Sequence, residues 1–529
     1  MSTQVRPAQP DTFHVFDTTL RDGAQQEGLR LSVADKIRIA TLLDELGVGY
    51  IEGGWPGANP NDTEFFAAAA RGELILKHAT LVAFGATRRA GGKAADDPLV
   101  AATRDSAAPV ACLVAKSHDG HVERALRTTL DENLAMIHDT VTHLRTEGMR
   151  VFVDCEHFFD GYLRNPAYSK QVLATVAEAG AEVAVLCDTN GGMLPTWMGD
   201  IVGEMSQVGI PLGIHCHNDT GCAVANTMAA VEAGAMHVQG TINGYGERTG
   251  NADLVPVIAN LELKYDWRVL PHDDSLTELT RISHAISAVT NVAGSPRQPY
   301  VGVSAFAHKA GLHASAIKVD PNLYQHIDPA LVGNDMRMLI SDMAGRANIQ
   351  LKGTELGYDL SDRELAAQIT DVVKEREARG YSYEAADASF ELLLRDELGL
   401  LEKPFSVINW RVLTQSAHDA ADNEATVKLA AKGEVQAFVG EGNGPVDALD
   451  HALRRALIPG FVEVKDYELT DYRVRIIDTG HGTDASVRVL IDTRSGEHTW
   501  TTVGVGTNVI EASWEALSDA YLYGLIKGL

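Results

Sequence analysis

Residues 14–46 read HVFDTTLRDGAQQEGLRLSVADKIRIATLLDEL, and this stretch decides the fold. It opens on a short apolar run, His14–Phe16, crosses a polar, glycine-containing turn, and ends in a helical pattern. Ser32 and Asp35 open that helix in the manner of a capping box. Val33, Ile37, Ala40, Leu43 and Leu46 then recur every three or four residues, one apolar face of a helix. A strand followed by such a helix is one unit of an alternating α/β fold. Further short apolar runs lie at Gly49–Glu52, Thr80–Phe84, Pro109–Val114, Arg150–Val153, Val183–Leu186, Leu212–His215 and His237–Thr241, each followed by Gly, Asp, Asn or a polar cluster. Helical patterns separate them, including one over Val122–Leu144. Eight strand–helix units in about 250 residues predict a (β/α)8 TIM barrel. An open doubly wound sheet is the alternative, but the GxGxxG turn it usually carries after its first strand is absent.

Outward from the barrel, assigned to residues 1–270, the pattern changes twice. Residues 271–400 predict helical linker subdomains. Ser275–Asn291 is amphipathic, and Ser361–Arg379 is charged densely enough to read as a solvated helix. Between them GSPRQPYVG, from Gly294, carries two prolines and reads as an irregular crossing linker. Residues 401–529 turn to strands: SVINWRVL, ATVKLAA, YELTDYRVRII, SVRVLIDT and EHTWTTVGVG. Here GEGNGPVDALDHALRRAL, from Gly440, resembles GVGTNVIEASWEALSDAY, from Gly504. Strands, a glycine-rich turn and an amphipathic helix, given twice, predict a small α+β domain of the kind that binds partners or effectors.

Composition narrows the function. The 529 residues are 45% hydrophobic and 22% charged, with a formal net charge of −27. A surface that acidic repels phosphate backbones and anionic lipid, so neither nucleic acid nor membrane is an expected partner. No run of 18 apolar residues occurs, and MSTQVRPAQPDTF lacks a signal peptide's layout. The five cysteines form no CxxC pair, which predicts a reducing, cytoplasmic location without a disulfide framework.

In a (β/α)8 barrel, chemistry gathers at the C-terminal ends of the strands. After the first strand stands DTTLRDGAQQ with Arg21, Asp22 and Gln25; after the fifth, DCEHFFDGY with Asp154, Glu156 and His157. The sixth ends in CDTNGG with Asp188 and Thr189, the seventh in HCHND with His215 and His217, and NGYGERTGNAD with Asn251 follows the eighth. The strand interiors read as apolar. Strand alternation puts His215 and His217 on one face. With Asp22 they form two imidazoles and a carboxylate, a facial set that leaves metal positions open, and Asn251 stands beside them. The mixed N/O set suits Mn²⁺, Mg²⁺, Zn²⁺ or Co²⁺. Arg21, beside a ligand carboxylate, can stabilise an oxyanion. Glu156 and Asp188 read either as catalytic or as groups orienting the histidines, and Thr189 as a strand-end cap or a substrate contact. These residues predict a divalent-metal enzyme acting on an oxygen-rich small molecule.

DTTLRDGAQ, HCHND and GYGERTGN resemble the signature segments of the 2-isopropylmalate, homocitrate and citramalate synthase family, whose superfamily includes hydroxymethylglutaryl-CoA lyase. The likeness runs over nearly the whole chain. IEGGWPGANPND, EHFFDGY, CDTNGG, PYVGVSAFAHKAGLHASAI and YSYEAADASFELLLRDELG look most like the long citramalate synthase lineage. The C-terminal repeat is similar to the family's regulatory dimerisation domain. The resemblance implies metal ligands at Asp22, His215 and His217, with Asn251 on or beside the metal. It implies catalytic roles for Arg21 and Glu156, and for a histidine–tyrosine pair, His313 and Tyr324, that reaches the neighbouring subunit's barrel. Gln25 and Thr189 match positions near the substrate.

The reaction implied is a Claisen condensation of acetyl-CoA, as co-substrate, with a 2-oxo acid. With pyruvate the product is citramalate, on a route to isoleucine, and isoleucine is the implied effector of a homodimer. A relative that prefers pyruvate has a tyrosine where this chain has Asp154, so its pocket does not carry over. Arg88, Arg89 and Lys93 are candidates for a basic patch that receives CoA. Sibling synthases using 2-oxoisovalerate, as 2-isopropylmalate synthase does, or 2-oxoglutarate are the near alternatives. A lyase would lack the long C-terminus, and a non-catalytic effector-binding barrel would not need Arg21, Asp22, His215, His217 and His313 together.

Overall fold

The computed structural model describes residues 7–340, 345–417, 420–477 and 485–529. Eight parallel strands close into a barrel: β1 (His14–Asp17), β2 (Tyr50–Glu52), β3 (Thr80–Ala86), β4 (Val110–Lys116), β5 (Arg150–Glu156), β6 (Val183–Asp188), β7 (Leu212–Cys216) and β8 (His237–Gly240). They pair in sequence order, and β8 returns to β1 with His14 opposite His237 and Phe16 opposite Gln239. Every predicted strand is present. Most of them run past the predicted end; in β1, β5 and β6 this is because Asp17, Asp154–Glu156 and Asp188 continue the strand although polar residues interrupt the apolar pattern there.

The first helix, Val33–Leu46, starts on the predicted capping box of Ser32 and Asp35 and ends at Gly47 in the left-handed region. Its Ile39, Ala40, Leu43 and Leu46 are buried in the layer between strands and helices. The stretch expected as one helix over Val122–Leu144 is broken. Val122–Leu126 forms a π-turn, Arg127 adopts a left-handed conformation, and Thr129 caps a new helix, Leu130–Thr146. The strand interiors, read as apolar, are only partly so. Phe16, Val82, Val110, Val183 and Val185 fill the middle of the barrel, but Glu52, Asp154, Gln239 and His237 are also buried there.

The chain divides into two compact units, Met1–Phe306 with Ile327–Asp335, and Ala307–His326 with Met336–Leu529. The first holds the barrel and the helix Leu279–Thr290, so the stretch grouped as 271–400 is shared between the units. The segment from Gly294, expected to cross between domains, folds onto the first unit. Tyr300 and Val301 are buried, and Tyr300 Oη donates to Asn260.

The second unit begins with the short parallel strands β9 (Ala307–His308) and β10 (Arg337–Met338). The helix Arg363–Ala378, expected to be solvated, buries a stripe of Ala366, Ile369, Thr370 and Val373, and only its other faces carry the charge. The repeat appears as two modules. β11 (Phe405–Ala417), β12 (Ala420–Ala431) and β13 (Glu434–Gly442) precede the helix Pro445–Leu457; β14 (Glu468–Ile476), β15 (Val487–Ser495) and β16 (His498–Gly506) precede the helix Val509–Lys527. Both sheets are antiparallel, and the helices share one core with Val427, Leu429, Val489 and Ile491. Leu413, Val435, Leu469, Val474 and Ile476 remain exposed on the strands.

Candidate active site

Eight of the ten candidate residues stand in the first unit, at the mouth of the barrel. Thr18–Gln25 leave β1 as a tight turn in which Thr18 Oγ1 donates to Glu52 at 2.6 Å and the Asp22 N–H donates back to Thr18. This turn aims Arg21 and Asp22 inward. Arg21 Nε donates to Glu52 at 2.7 Å and Nη1 to Asp22 at 3.0 Å; Nη2 lies 3.9 Å from Asp154. The guanidinium carbon sits 4.0 Å from the centre of the Phe84 ring. Burial alone would lower the Arg21 pKa, but Glu52, Asp22 and Asp154 hold it above its usual range.

Asp22, His215 and His217 converge. Asp22 Oδ2 is 3.5 Å from His215 Nε2 and 3.9 Å from His217 Nε2, and the two Nε2 atoms are 3.3 Å apart. All three residues are buried. Burial opposes ionisation of Asp22, yet Arg21 and the two imidazoles hold its carboxyl well below the usual range. Burial pushes His215 down to about 4 and lowers His217 as well. Neutral imidazoles beside a carboxylate are the form in which these side chains bind metal.

Asn251 completes the set. Its Nδ2 donates to Asp22 at 3.1 Å and to the Tyr245 carbonyl at 3.0 Å. Its Oδ1, buried beside Asp22, has no partner among the described residues. The loop before it depends on Gly246, whose φ is 150°; a Cβ there would lie 2.3 Å from Asn251 Nδ2. The residues therefore fit a divalent cation: two imidazole nitrogens and a carboxylate converge, and an amide oxygen stands free next to them. Three carboxylates, Asp22, Glu52 and Asp154, are buried against the single guanidinium of Arg21, and a divalent ion would balance their charge.

These groups open into a cavity of about 1070 Å³ lined by Arg21, Asp22, Gln25, Glu156, Thr189 and His217, among others. Glu156 pairs with Lys116, its register partner on β4. Thr189 has both of its expected roles available: it lines the cavity, and its Oγ1 accepts the His157 N–H at 2.8 Å. Asp188 does not orient the histidines through its side chain, which accepts the Gly192 and Met193 N–H groups. Burial lifts it to about 6. Arg88 is occupied by Glu132 at 2.8 Å and Asp139 at 2.6 Å, so it offers little free charge to an anion. Arg89 reaches the cavity and is exposed. His313 and Tyr324 lie in the second unit, their rings 4.1 Å apart.

Sequence reading missed Glu52 and Gln239. Glu52 anchors Arg21, and Gln239 Oε1 lies 2.9 Å from His215 Nδ1. The signal was strand alternation: 50 and 52, 152 and 154, and 237 and 239 are inward positions, and a polar residue at the mouth end of such a pair faces the site.

The HMGL-like family profile matches residues 12–286, and "Homocitrate synthase post-HMGL domain-like" matches 300–380. "LeuA allosteric (dimerisation) domain" matches 384–525. The chain is 65% identical over 521 residues to the (R)-citramalate synthase of Streptomyces coelicolor, covering 98% of this chain and 97% of the relative. It is 46% identical to that of Aquifex aeolicus, covering 98% of each. To the Synechocystis enzyme of the same name it is 47% identical, covering 97% of this chain and 96% of the relative. With that identity over nearly its whole length and a closed HMGL-like barrel, this chain belongs to the (R)-citramalate synthase family of acyl-transferring enzymes.

Proposed function

We propose that the protein condenses acetyl-CoA with pyruvate and water to give (R)-citramalate and free CoA, with a divalent metal held by Asp22, His215, His217 and Asn251. The observation that carries this reading is the convergence of Asp22, His215, His217 and Asn251 beside a cavity lined by Arg21, Asp22 and His217, in a chain that shares 65% identity with a named (R)-citramalate synthase. A divalent ion in this set would act as a Lewis acid toward the carboxylate and ketone oxygens of a 2-oxo acid.

The chain's own groups supply the rest. Glu52 and Asp22 hold the Arg21 guanidinium through Nε and Nη1, and its remaining N–H groups are available to the ketone oxygen as it gains negative charge. Gln25 and Thr189 bind the 2-oxo acid at the cavity wall. A base removes a methyl proton of acetyl-CoA; Glu156 stands on the cavity wall, and the His313–Tyr324 pair is assigned to act there from a neighbouring copy. The new carbon–carbon bond leaves a citramalyl thioester, and water cleaves its C–S bond to release the thiol. A cavity of about 1070 Å³ has room for a 2-oxo acid and the acyl end of CoA together.

Residues 1–270 hold the metal and the 2-oxo acid, 271–400 link and bring the His313–Tyr324 pair, and 401–529 regulate, pairing two copies and binding isoleucine. The exposed Leu469, Val474 and Ile476 on β14 offer apolar area for the pairing. No helix among the described residues is long and apolar enough to cross a membrane, and the reading places the enzyme in the cytoplasm.

The test is thiol release from acetyl-CoA with Mn²⁺ or Mg²⁺ across pyruvate, 2-oxobutyrate, 2-oxoisovalerate and 2-oxoglutarate, with and without chelator and isoleucine. Pyruvate dominates, chelator abolishes the rate and isoleucine lowers it if the reading holds. A preference for 2-oxoisovalerate would overturn the substrate, and release unaffected by chelator would overturn the metal.

A further inference from the structure

Behind the candidate metal ligands lies a buried chain of hydrogen bonds that the reaction itself does not use. Asp154 on β5 accepts from Gln239 Nε2 at 2.9 Å and from the Cys112 thiol at 3.3 Å, both through Oδ1. Its Oδ2 faces Arg21, 3.9 Å from Nη2. Gln239 on β8 turns its other end, Oε1, to His215 Nδ1 at 2.9 Å. His215 and Gln239 are register partners in the sheet, and Gln239 is fully buried. Asp154 is absent from the cavity wall, where Arg21 and Phe84 stand instead.

Each bond in this chain has a fixed direction. Facing the Arg21 cation, Asp154 in its carboxylate form can only accept, so it claims the amide end of Gln239. That leaves the carbonyl end facing His215, which must then carry its proton on Nδ1. The Nε2 lone pair is left bare, and it is the atom that faces Asp22 and His217.

We propose that Asp154 and Gln239 are positioning residues that set the tautomer of His215, so that Nε2 is always ready for the metal, and that the same carboxylate holds Arg21 in register with it. One buried group thereby ties the metal ligand on β7 to the oxyanion-stabilising cation on β1. The inference rests on the metal reading above and adds what fixes the ligand's orientation.

Reversal of bond polarity makes this testable. In Asp154→Asn, the new amide presents its oxygen to the Arg21 cation and its NH2 to Gln239. Gln239 must then flip, giving its own NH2 to His215 Nδ1, and the proton moves to Nε2. Adding Gln239→Glu restores the direction: the amide introduced at position 154 would donate to the new carboxylate, which again accepts from His215 Nδ1. The buried charge is the same as in the native chain.

The experiment is Mn²⁺ binding to the full-length apoprotein, followed by the electron paramagnetic resonance signal of free Mn²⁺, with circular dichroism to verify folding. Asp154→Asn and Gln239→Met should each weaken Mn²⁺ binding by about 10- to 100-fold, and the double variant D154N/Q239E should return to within about threefold of the native value. Native affinity in both single variants, or a double variant no tighter than D154N, overturns the proposal. If D154N does not fold, Q239M decides alone, since unchanged affinity there refutes the tautomer role. An unsubstituted protein that fails to bind Mn²⁺, and whose thermal midpoint none of Mg²⁺, Zn²⁺ or Co²⁺ raises, refutes the metal reading instead, which separates the two failures.

Discussion

Arg21 shows how much one side chain carries in this site. It touches two carboxylates, faces a third and lies on the Phe84 ring. A lysine has one ammonium and no plane, so it cannot hold Glu52 and Asp22 while stacking and still offer a donor to substrate. Arg21→Lys should lower kcat/KM for thiol release by about 10²- to 10³-fold, while Mn²⁺ affinity changes much less. Asp22→Ala should do the opposite first and abolish Mn²⁺ binding, because it removes the one charged ligand of the set. The residues legible in the sequence were those clustered with other polar residues at the ends of strands, as His215 with His217 and Asp154 with Glu156, or on the turns just after them. Glu52 and Gln239 were not legible, since each is a single polar residue inside a strand whose partners come from elsewhere in the chain. Only pairing of β8 with β7 and β1 reveals what Gln239 faces.

At the scale of elements, the strand ends and the loop after β8 set the precision of the site. Strand prediction stopped at Val153 because Asp154 and Glu156 are polar, yet in a barrel whose mouth is a binding site the inward residues of the last turn of strand are polar by necessity. The helix around Val122 failed for another reason: Arg127 leaves the helical region at φ 55°, and no glycine or proline marks the break. The glycines after β8 do mark their loop. Gly246→Ala would push Asn251 off its bond to Asp22 and strain the backbone at φ 150°, so a loss of at least about tenfold in Mn²⁺ affinity is expected together with a lower thermal midpoint. The barrel floor makes a separate prediction. His237 is buried against Phe16 and Phe152, and burial, with His14 beside it, holds its pKa well below the ordinary value of 6.5. The unfolded chain takes up a proton there that the folded one refuses. Stability is therefore fully present above pH 6.5 and falls as the pH drops below it, by about 1.4 kcal/mol per pH unit for one such group. His237→Leu should flatten that slope, which urea midpoints of the barrel at pH 7.5 and pH 5.5 would reveal; an unchanged slope would refute the assignment.

The whole molecule is two compact units with separate cores, and that division should be visible in unfolding. Trp267 is buried in the first core and Trp500 in the second, so single-tryptophan variants report each unit. A ligand stabilises only the folded unit that binds it, by an amount set by its concentration over its Kd. Mn²⁺ should therefore raise the midpoint reported by Trp267, and excess chelator should lower it, with the Trp500 transition unmoved. Isoleucine should raise the Trp500 midpoint, and its effect should grow with protein concentration if pairing of β14 and its neighbours across two copies builds the effector site. An isoleucine shift confined to Trp267 would place the amino acid in the barrel as a competitor of substrate. Feedback control needs more than either shift alone: the two sites must share free energy, so Mn²⁺ with pyruvate must weaken isoleucine binding by the same factor as isoleucine weakens theirs. Measuring both affinities in both directions decides whether the second unit regulates the first or only holds two copies together.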